Sequence, residues 1–548
     1  HGETDTASFM AHGYDPDLAV WSPFHGAAYA VLLSVTRLVS MGADWRKAYL
    51  TLQEYFEKLT DASSWGKPAA ALLGAYYMQK VLGLGAIGGK DSMSGTFENL
   101  HVPPTLVSFA IAPGKASEAV SQEWKESGST LVLFGQPKDA NDMPDMDIFK
   151  AHARSMKAVG HGGLAVAAAE AAFGNRIGAV FNEAIPKSRY FGNFYGAILV
   201  ETDEASAQEW AKQPCVRIIG VTGGEDMKLF GETVSLDELL KAYEAPLNDI
   251  FPIQAESSTR EIPGIPYFTP ATRSFARVQA ARPKVFIPVV PGNNCEVDSA
   301  RAFERAGADT DIFIVRNRDQ AELAESVDEM VRRINEAQIV MIPGGFSAGD
   351  EPDGSGKFIA ALFRNRKLEE AMEALLHRRD GLVLGICNGF QALIKLGLVP
   401  YGEFKPLTGD APTLTFNTIG RHLSRYVTTK VVSVKSPWLA LTKPGDLHSI
   451  AISHGEGRFI ASPEQIRAWA ANGQIATQYT DELGHASYDS TFNPNESVWA
   501  VEGITSPDGR VLGKMGHSER RGDNIAKNIS GEKYQPLFAA GVRYFTGK

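Results

Sequence analysis

GLVLGICNGFQALIKL, residues 381–396, is the stretch on which the fold of the second half of this chain turns. It opens as a short apolar run and continues with apolar residues at helical spacing, so a strand passes directly into a helix. The junction is Gly385-Ile386-Cys387-Asn388-Gly389. So abrupt a turn strains the residue at its apex, and small neighbours relieve the crowding. Gly385 and Gly389 meet that need. Cys387 is then either a small buried hydrophobe or a nucleophile held out on a sharp turn. The flanking glycines favour the nucleophile.

Working outward, residues 284–380 repeat one pattern. KVFIPVV is a continuous apolar run, as a central parallel strand would be. Helix (SARAFERAGAD), strand (TDIFIV), helix (ELAESVDEMVRRINEA), strand (QIVMIPGG) and helix (GKFIAALFRNRKLEEAMEALLHRRD) follow, then the strand GLVLGI. This alternation predicts a doubly wound α/β sheet, whose sites lie beyond the carboxyl ends of its strands. PGGFSAGD at 343–350 and the cysteine loop both fall on that edge.

The chain upstream is less regular. AAYAVLLSVTRLVSMGAD, WRKAYLTLQEYFEKL and KPAAALLGAYYMQKVLGLG read as three helices, AIGGKDSMSG as a Gly-rich turn and PTLVSFAIAP as a strand. Farther on, STLVLFG and GNFYGAILVET read as strands and GGLAVAAAEAAFG as a small-residue helix. This predicts an α+β unit of two subdomains, 1–125 and 126–250. Residues 251–283, rich in Pro, Ser and Thr without a sustained period, form the expected linker to a domain spanning 284–548.

Composition bounds the function classes. A 548-residue chain with 44% hydrophobic and 22% charged residues can bury several cores. A net charge of -10, with both signs mixed along the chain, disfavours non-specific nucleic-acid binding. Three scattered cysteines form neither a disulfide framework nor a zinc pattern, which points to a reducing compartment, the cytoplasm. No apolar run is long enough for a membrane span. The chain starts HGETDTASFM without a Met, as a processed chain or a piece of a longer one would.

A cysteine on such a turn gains two things: a helix N-terminus that favours its thiolate, and the N–H of Asn388 as an oxyanion donor. A second donor is expected from the PGGFSAGD loop, where Gly344 and Gly345 let backbone amides come close. The nucleophile also needs a base and a group to orient it. ISHGEGRF offers His454 and Glu456, and KMGHSERR offers His517 and Glu519. Spacing alone leaves both open. Cys215 and Cys295 read as packing residues, and GGKDSM at 88–93 fits no general phosphate-binding pattern.

PGGFSAGD, LGICNGFQAL, ISHGEGRF, FNPN and KMGHSER, in this order, resemble the glutaminase domain of the phosphoribosylformylglycinamidine synthase (formylglycinamide ribonucleotide amidotransferase) family, a class I glutamine amidotransferase domain of flavodoxin-like fold. GGKDSMS and the helix at 162–173 resemble the second half of that family's synthetase domain, which has an aminoimidazole-ribonucleotide-synthetase-like α+β fold. The resemblance implies Cys387 as nucleophile, His517 as general base and Glu519 as its orienting group. His454 then becomes a glutamine-contacting residue, and Phe346, Ser347 and Gln391 fall in loops near the glutamine pocket. It further implies Gly89 near ATP, Lys90 near the phosphate or metal and Ser92 near substrate. Lys90 stands where the family has an asparagine metal ligand, so no metal ligand is expected among them.

The implied function is ATP- and Mg²⁺-dependent amidation of formylglycinamide ribonucleotide, fed by ammonia from glutamine, with the N-terminal half of the same enzyme as partner. The chain departs from the family at several points. Val31 and Val35 stand where a Glu and an Asn hold an auxiliary nucleotide's metal, GHGG at 160–163 replaces SDGG, and Asn493-Pro494-Asn495-Glu496-Ser497 replaces NPNGS. Two rivals carry different expectations. A cysteine hydrolase of the same layout would use no ATP, and a non-catalytic scaffold would leave Cys387 unreactive.

Overall fold

The computed structural model describes residues 4–135, 157–192, 194–258, 260–272, 275–349, 356–523, 525–526 and 529–547. Much of the short connection before GHGG, and Asp350 of PGGFSAGD, lie outside them. The chain divides into two compact units, His1–Phe251 and Pro252–Lys548.

The first unit is α+β. One four-stranded sheet runs in the order Thr6–Gly13, Thr105–Lys115, Tyr49–Tyr55, Ala86–Ser92. The helix Pro23–Ser40 packs on it, started by Ser22 and by a proline in the first turn. Val31 and Val35 are completely buried in this helix, as core residues. A second, seven-stranded sheet includes Thr130–Phe134, Ile198–Thr202 and Val216–Thr222, with the helix Gly163–Phe173 contributing buried alanines to its core.

Two upstream expectations are corrected here. WRKAYLTLQEYFEKL is not a helix: after a short turn at Trp45–Lys47 it forms the strand Tyr49–Tyr55. Pairing decides this, because the segment lies between an antiparallel and a parallel neighbour and bonds to both. AIGGKDSMSG is not a simple turn either, since Ala86–Ser92 is an edge strand with nearly every residue exposed.

The second unit carries the α/β sheet. Its strand order is Asp309–Ile314, Lys284–Val289, Ile339–Ile342, Leu382–Ile386, Val511–Lys514, Val501–Thr505, Ile475–Thr480, Leu423–Val431, Leu447–His454. The first five are parallel and follow the flavodoxin-like sequence 2-1-3-4-5. The remaining four extend the sheet antiparallel, which the helix-alternating pattern before residue 396 does not foretell. The long helix expected over 356–380 is broken. Asn365 caps a new start at Arg366–Glu373 after Lys357–Phe363 ends. No helix among the described residues is long and apolar enough to cross a membrane.

Candidate active site

Four consecutive strands of the parallel sheet end at one place. After Lys284–Val289 comes the loop with Asn293 and Cys295, after Ile339–Ile342 the loop with Gly344 to Ser347, after Leu382–Ile386 Cys387, and after Val511–Lys514 His517. The first two strands flank the point where strand order reverses, the expected location for a site in such a sheet.

Cys387 has φ 53° and ψ -106°, a strained conformation for a residue with a Cβ. It is the turn residue before the helix Asn388–Leu396, and its N–H donates to Lys514 O at 2.8 Å. The two glycines are required by contact. A Cβ on Gly389 would lie 2.0 Å from Ile342 O, and one on Gly385 2.7 Å from Gly389 O. Helix and strand approach too closely for any side chain at either position.

Gly344 joins the parts. A Cβ there would lie 2.8 Å from His517 Cε1, 3.1 Å from Cys295 Sγ and 3.5 Å from Cys387 Cβ. Cys387, His517 and Cys295 therefore all border the one backbone site at Gly344. Gly345, at φ 139°, presses against Asn293, and Phe346 N–H is engaged by Gly292 O at 2.8 Å. Ser347 N–H lies 3.4 Å from Asn388 Oδ1, and the buried Ser347 hydroxyl has no hydrogen-bond partner among the described residues. Asn388 Nδ2 donates to Gln391 Oε1 at 2.9 Å, and Gln391 Nε2 to Glu456 O at 2.6 Å. The Asn388 and Gln391 side chains are thus held in one chain of hydrogen bonds that ends on the Glu456 carbonyl.

His517 Nδ1 lies 2.6 Å from Glu519 Oε1, both side chains being buried, while His517 Nε2 has no partner among the described residues. Burial pushes the Glu519 carboxyl up, but the adjacent His517 and its hydrogen bond outweigh it and hold the carboxyl below its ordinary value. The turn bearing His517 rests on a buried ion pair. Lys514 Nζ lies 3.2 Å from Glu502 Oε1 and donates to Gly516 O and Ser518 Oγ, both at 2.9 Å. Glu502 in turn accepts from Gly516 N–H at 2.7 Å.

His454 occupies a different place. It ends the strand Leu447–His454, is buried, and neither ring nitrogen has a partner among the described residues. Burial, then the nearby His517 and His422, push its pKa down to about 3, so it is neutral. A Cβ on Gly457 would strike the imidazole at 2.3 Å, which explains the glycine in SHGEGRF. The preceding residue, Ser453, offers its carbonyl to Cys387 Sγ at 3.6 Å.

Sequence reading missed two residues at this site. Cys295, expected only to pack, has Sγ 3.9 Å from His517 Nδ1 and 3.0 Å from Arg520 Nη2. Burial and then Glu519 push its thiol up to about 12, with Arg520 opposing. Nothing local marks Cys295, and Arg520, though it ends the KMGHSER motif, has no role assigned there, because the two meet only where separate strand ends converge. The resting state of Cys387 also differs from the expected thiolate. Burial, followed by Cys295 and Glu519, pushes the thiol well above its ordinary value, and the Asn388 N–H only partly offsets this.

The upstream residues lie in the first unit. Gly89, Lys90 and Ser92 sit on the edge strand Ala86–Ser92, paired in parallel with Leu52, Gln53 and Tyr55. A Cβ on Gly89 would meet Leu52 O at 2.4 Å, and Lys90 Nζ bonds Ser92 Oγ and lies 5.4 Å over the Tyr55 ring. Glu54, which no motif singles out, is buried opposite Asp91, with its pKa pushed up to about 7 by burial and then by Asp91. His161 of GHGG lies 3.4 Å from Asp15. Glu496, standing where NPNGS has glycine, takes φ 57° and is paired with Arg260 and Arg458 at 3.1 and 3.3 Å.

Residues 282–545 match the CobB/CobQ-like glutamine amidotransferase domain family, which sets the class of the second unit. The chain is similar to phosphoribosylformylglycinamidine synthase subunit PurQ of Methanococcus maripaludis, at 33% identity over 43% of this chain and 83% of that protein. It is also similar to the PurQ subunit of Symbiobacterium thermophilum, at 32% identity over 48% of this chain and 97% of that one. The chain belongs to this phosphoribosylformylglycinamidine synthase PurQ family, a glutamine amidotransferase and ligase family of purine biosynthesis. Among solved structures, PurLQS from Thermotoga maritima aligns with TM-score 0.35 and 24% identity, over 48% of this chain and 99% of that one. T. maritima PurL complexed with ATP aligns with TM-score 0.34 and 14% identity, over 49% of this chain and 48% of that one.

Proposed function

We propose that the second unit hydrolyses glutamine through Cys387, His517 and Glu519. The observation that carries this is the convergence of a strained, glycine-flanked Cys387 and a Glu519-oriented His517 on the single backbone site at Gly344. Because burial keeps the resting thiol neutral, His517 Nε2 removes its proton as the sulfur attacks the side-chain amide. The tetrahedral oxyanion takes the N–H of Asn388 and an amide of Gly344–Gly345, since Phe346 N–H is already engaged. His517 then protonates the leaving ammonia, and water activated by the same nitrogen releases glutamate from the thioester. His454, neutral and without a partner among the described residues, lines the pocket with Gln391 and Ser347.

Ammonia made in this way serves ATP- and Mg²⁺-dependent amidation of formylglycinamide ribonucleotide to the amidine. In this reading ATP activates the formamide oxygen, and ammonia is passed internally because free ammonia is mostly protonated near neutral pH. Gly89, Lys90 and Ser92 belong to the synthetase part, as nucleotide and substrate contacts, within domains at 1–125 and 126–250. The remaining ATP and metal contacts come from the N-terminal half of the same enzyme, in the cytoplasm. Support comes from the PurQ family membership and from the sequence motifs of the first unit. Glutamate release by the chain and by Cys387→Ala tests the first step, and unchanged release by the variant would refute it. Stoichiometric use of glutamine and ATP, on adding the N-terminal half, tests the second.

A further inference from the structure

We propose that Cys295, His517 and Glu519 form an inhibitory site for a thiophilic divalent cation such as Zn²⁺. The three side chains are buried, and one ligand atom from each lies within 4.8 Å of the other two. Cys295 Sγ is 3.9 Å from His517 Nδ1, and Glu519 Oε1 is 2.6 Å from the same nitrogen. Tetrahedral zinc with sulfur, nitrogen and oxygen ligands needs bond lengths of about 2.0–2.3 Å and so ligand atoms about 3.3–3.6 Å apart. The sulfur–nitrogen pair would close slightly, and the nitrogen–oxygen pair would open as its hydrogen bond is replaced. The second oxygen of Glu519, Oε2, is buried without a hydrogen-bond partner among the described residues, a donor that a cation would satisfy.

Charge and ligand type agree. A thiolate, an imidazole and a carboxylate form a set suited to zinc, with one coordination position left for water. Arg520, 3.0 Å from Cys295 Sγ, offsets one of the two negative charges and leaves a net negative charge facing the ion. Binding displaces the thiol proton of Cys295 to solvent, and the proton between His517 and Glu519 moves to His517 Nε2.

The effect on the reaction follows from which nitrogen is taken. A neutral imidazole ligated through Nδ1 carries its proton on Nε2. That nitrogen then has no lone pair for the Cys387 proton, and Glu519 no longer orients the ring. The inhibitory consequence rests on the glutaminase reading, whereas the binding site does not.

Co²⁺, added alone to the full chain in a Cys215→Ala background, tests the site through its thiolate-to-metal charge-transfer absorption. The only thiols are then Cys295 and Cys387. The expected result is a band in the parent and in Cys387→Ala, displaced by Zn²⁺, and its loss in Cys295→Ser. Zn²⁺ needed for half-inhibition of glutamine hydrolysis should rise at least about tenfold in Cys295→Ser. A band kept in Cys295→Ser but lost in Cys387→Ala would place the ion on the nucleophile and overturn the proposal, as would no band in the parent. Should Cys295→Ser not fold, Cys387→Ala still decides, because Cys295 is its last thiol. A band there in a chain whose parent does not hydrolyse glutamine would support the metal site and overturn only the glutaminase reading.

Discussion

Glu519 Oε1 sits 2.6 Å from Nδ1 of His517, and the pair is buried. A carboxylate at that distance fixes the ring's orientation and tautomer and leaves Nε2 to accept a proton. Glu519→Gln is expected to lower kcat for glutamine hydrolysis by about 10²–10⁴-fold while leaving KM nearly unchanged. Steady-state glutamate release measures both. A large rise in KM alone would assign Glu519 to binding.

The two histidines should separate in kinetics. His517→Ala removes the proposed base and should reduce kcat to near background. His454→Gln keeps the volume of a neutral, buried side chain and should chiefly raise KM for glutamine, by about tenfold, as loss of a binding contact does. Equal collapse of kcat in both variants would reopen the choice of base.

The ion pair under the turn bearing His517 is a stability element. Lys514→Met leaves Glu502 buried and uncompensated, at an expected cost of about 3–5 kcal/mol. Lys514→Met combined with Glu502→Leu should recover much of that loss, because no buried charge remains. Urea unfolding of the two single variants and the double variant provides the comparison. A double variant no more stable than Lys514→Met would show that the pair's contacts to Gly516 and Ser518 dominate.

Two glycines should fail in different ways. Gly389→Ala forces a Cβ to 2.0 Å from a strand carbonyl, so unfolding stability should fall by about 1–3 kcal/mol or more. Gly344→Ala meets the movable ring of His517 at 2.8 Å, so activity should drop by about 10²-fold through misplacement, with a smaller change in Tm. Calorimetry and glutaminase assays on both variants check the contrast.

In the first unit, Glu54 binds a proton more tightly in the folded state than when unfolded, with a folded pKa of about 7. The native state therefore holds the extra proton between the ordinary carboxylate value and about 7, and stability falls as pH rises through that window. Glu54→Gln removes the penalty, so its Tm should exceed the parent's by about 2–4 °C at pH 8 and by less at pH 5. An equal gain at both values would mean that Glu54 titrates normally.

Much of the second unit was legible because its signals are local. KVFIPVV, TDIFIV, QIVMIPGG and GLVLGI are short apolar runs bounded by turn residues, and each forms a parallel strand. Where competing signals overlapped, local reading failed. WRKAYLTLQEYFEKL contains good helix formers, yet Tyr49–Tyr55 also alternates, and two waiting partner strands settle it as a strand. The 356–380 segment is helical throughout in composition, but Asn365 competes as a cap and divides it.

The sequence by itself determined that Cys387 stands on a glycine-flanked turn between strand and helix, because that geometry depends on five adjacent residues. It also determined that a His-x-Glu pair was at hand, but spacing left two such pairs. Only the tertiary structure set His517 Nδ1 against Glu519, buried His454 as a neutral ring, and brought Cys295 and Arg520 beside them. The reason is that strands distant in sequence end side by side at one edge of a parallel sheet, and burial there reverses what exposed side chains would do. Cys387 shows it directly: its turn was readable from glycines, but the high cost of its thiolate belongs to the packed site.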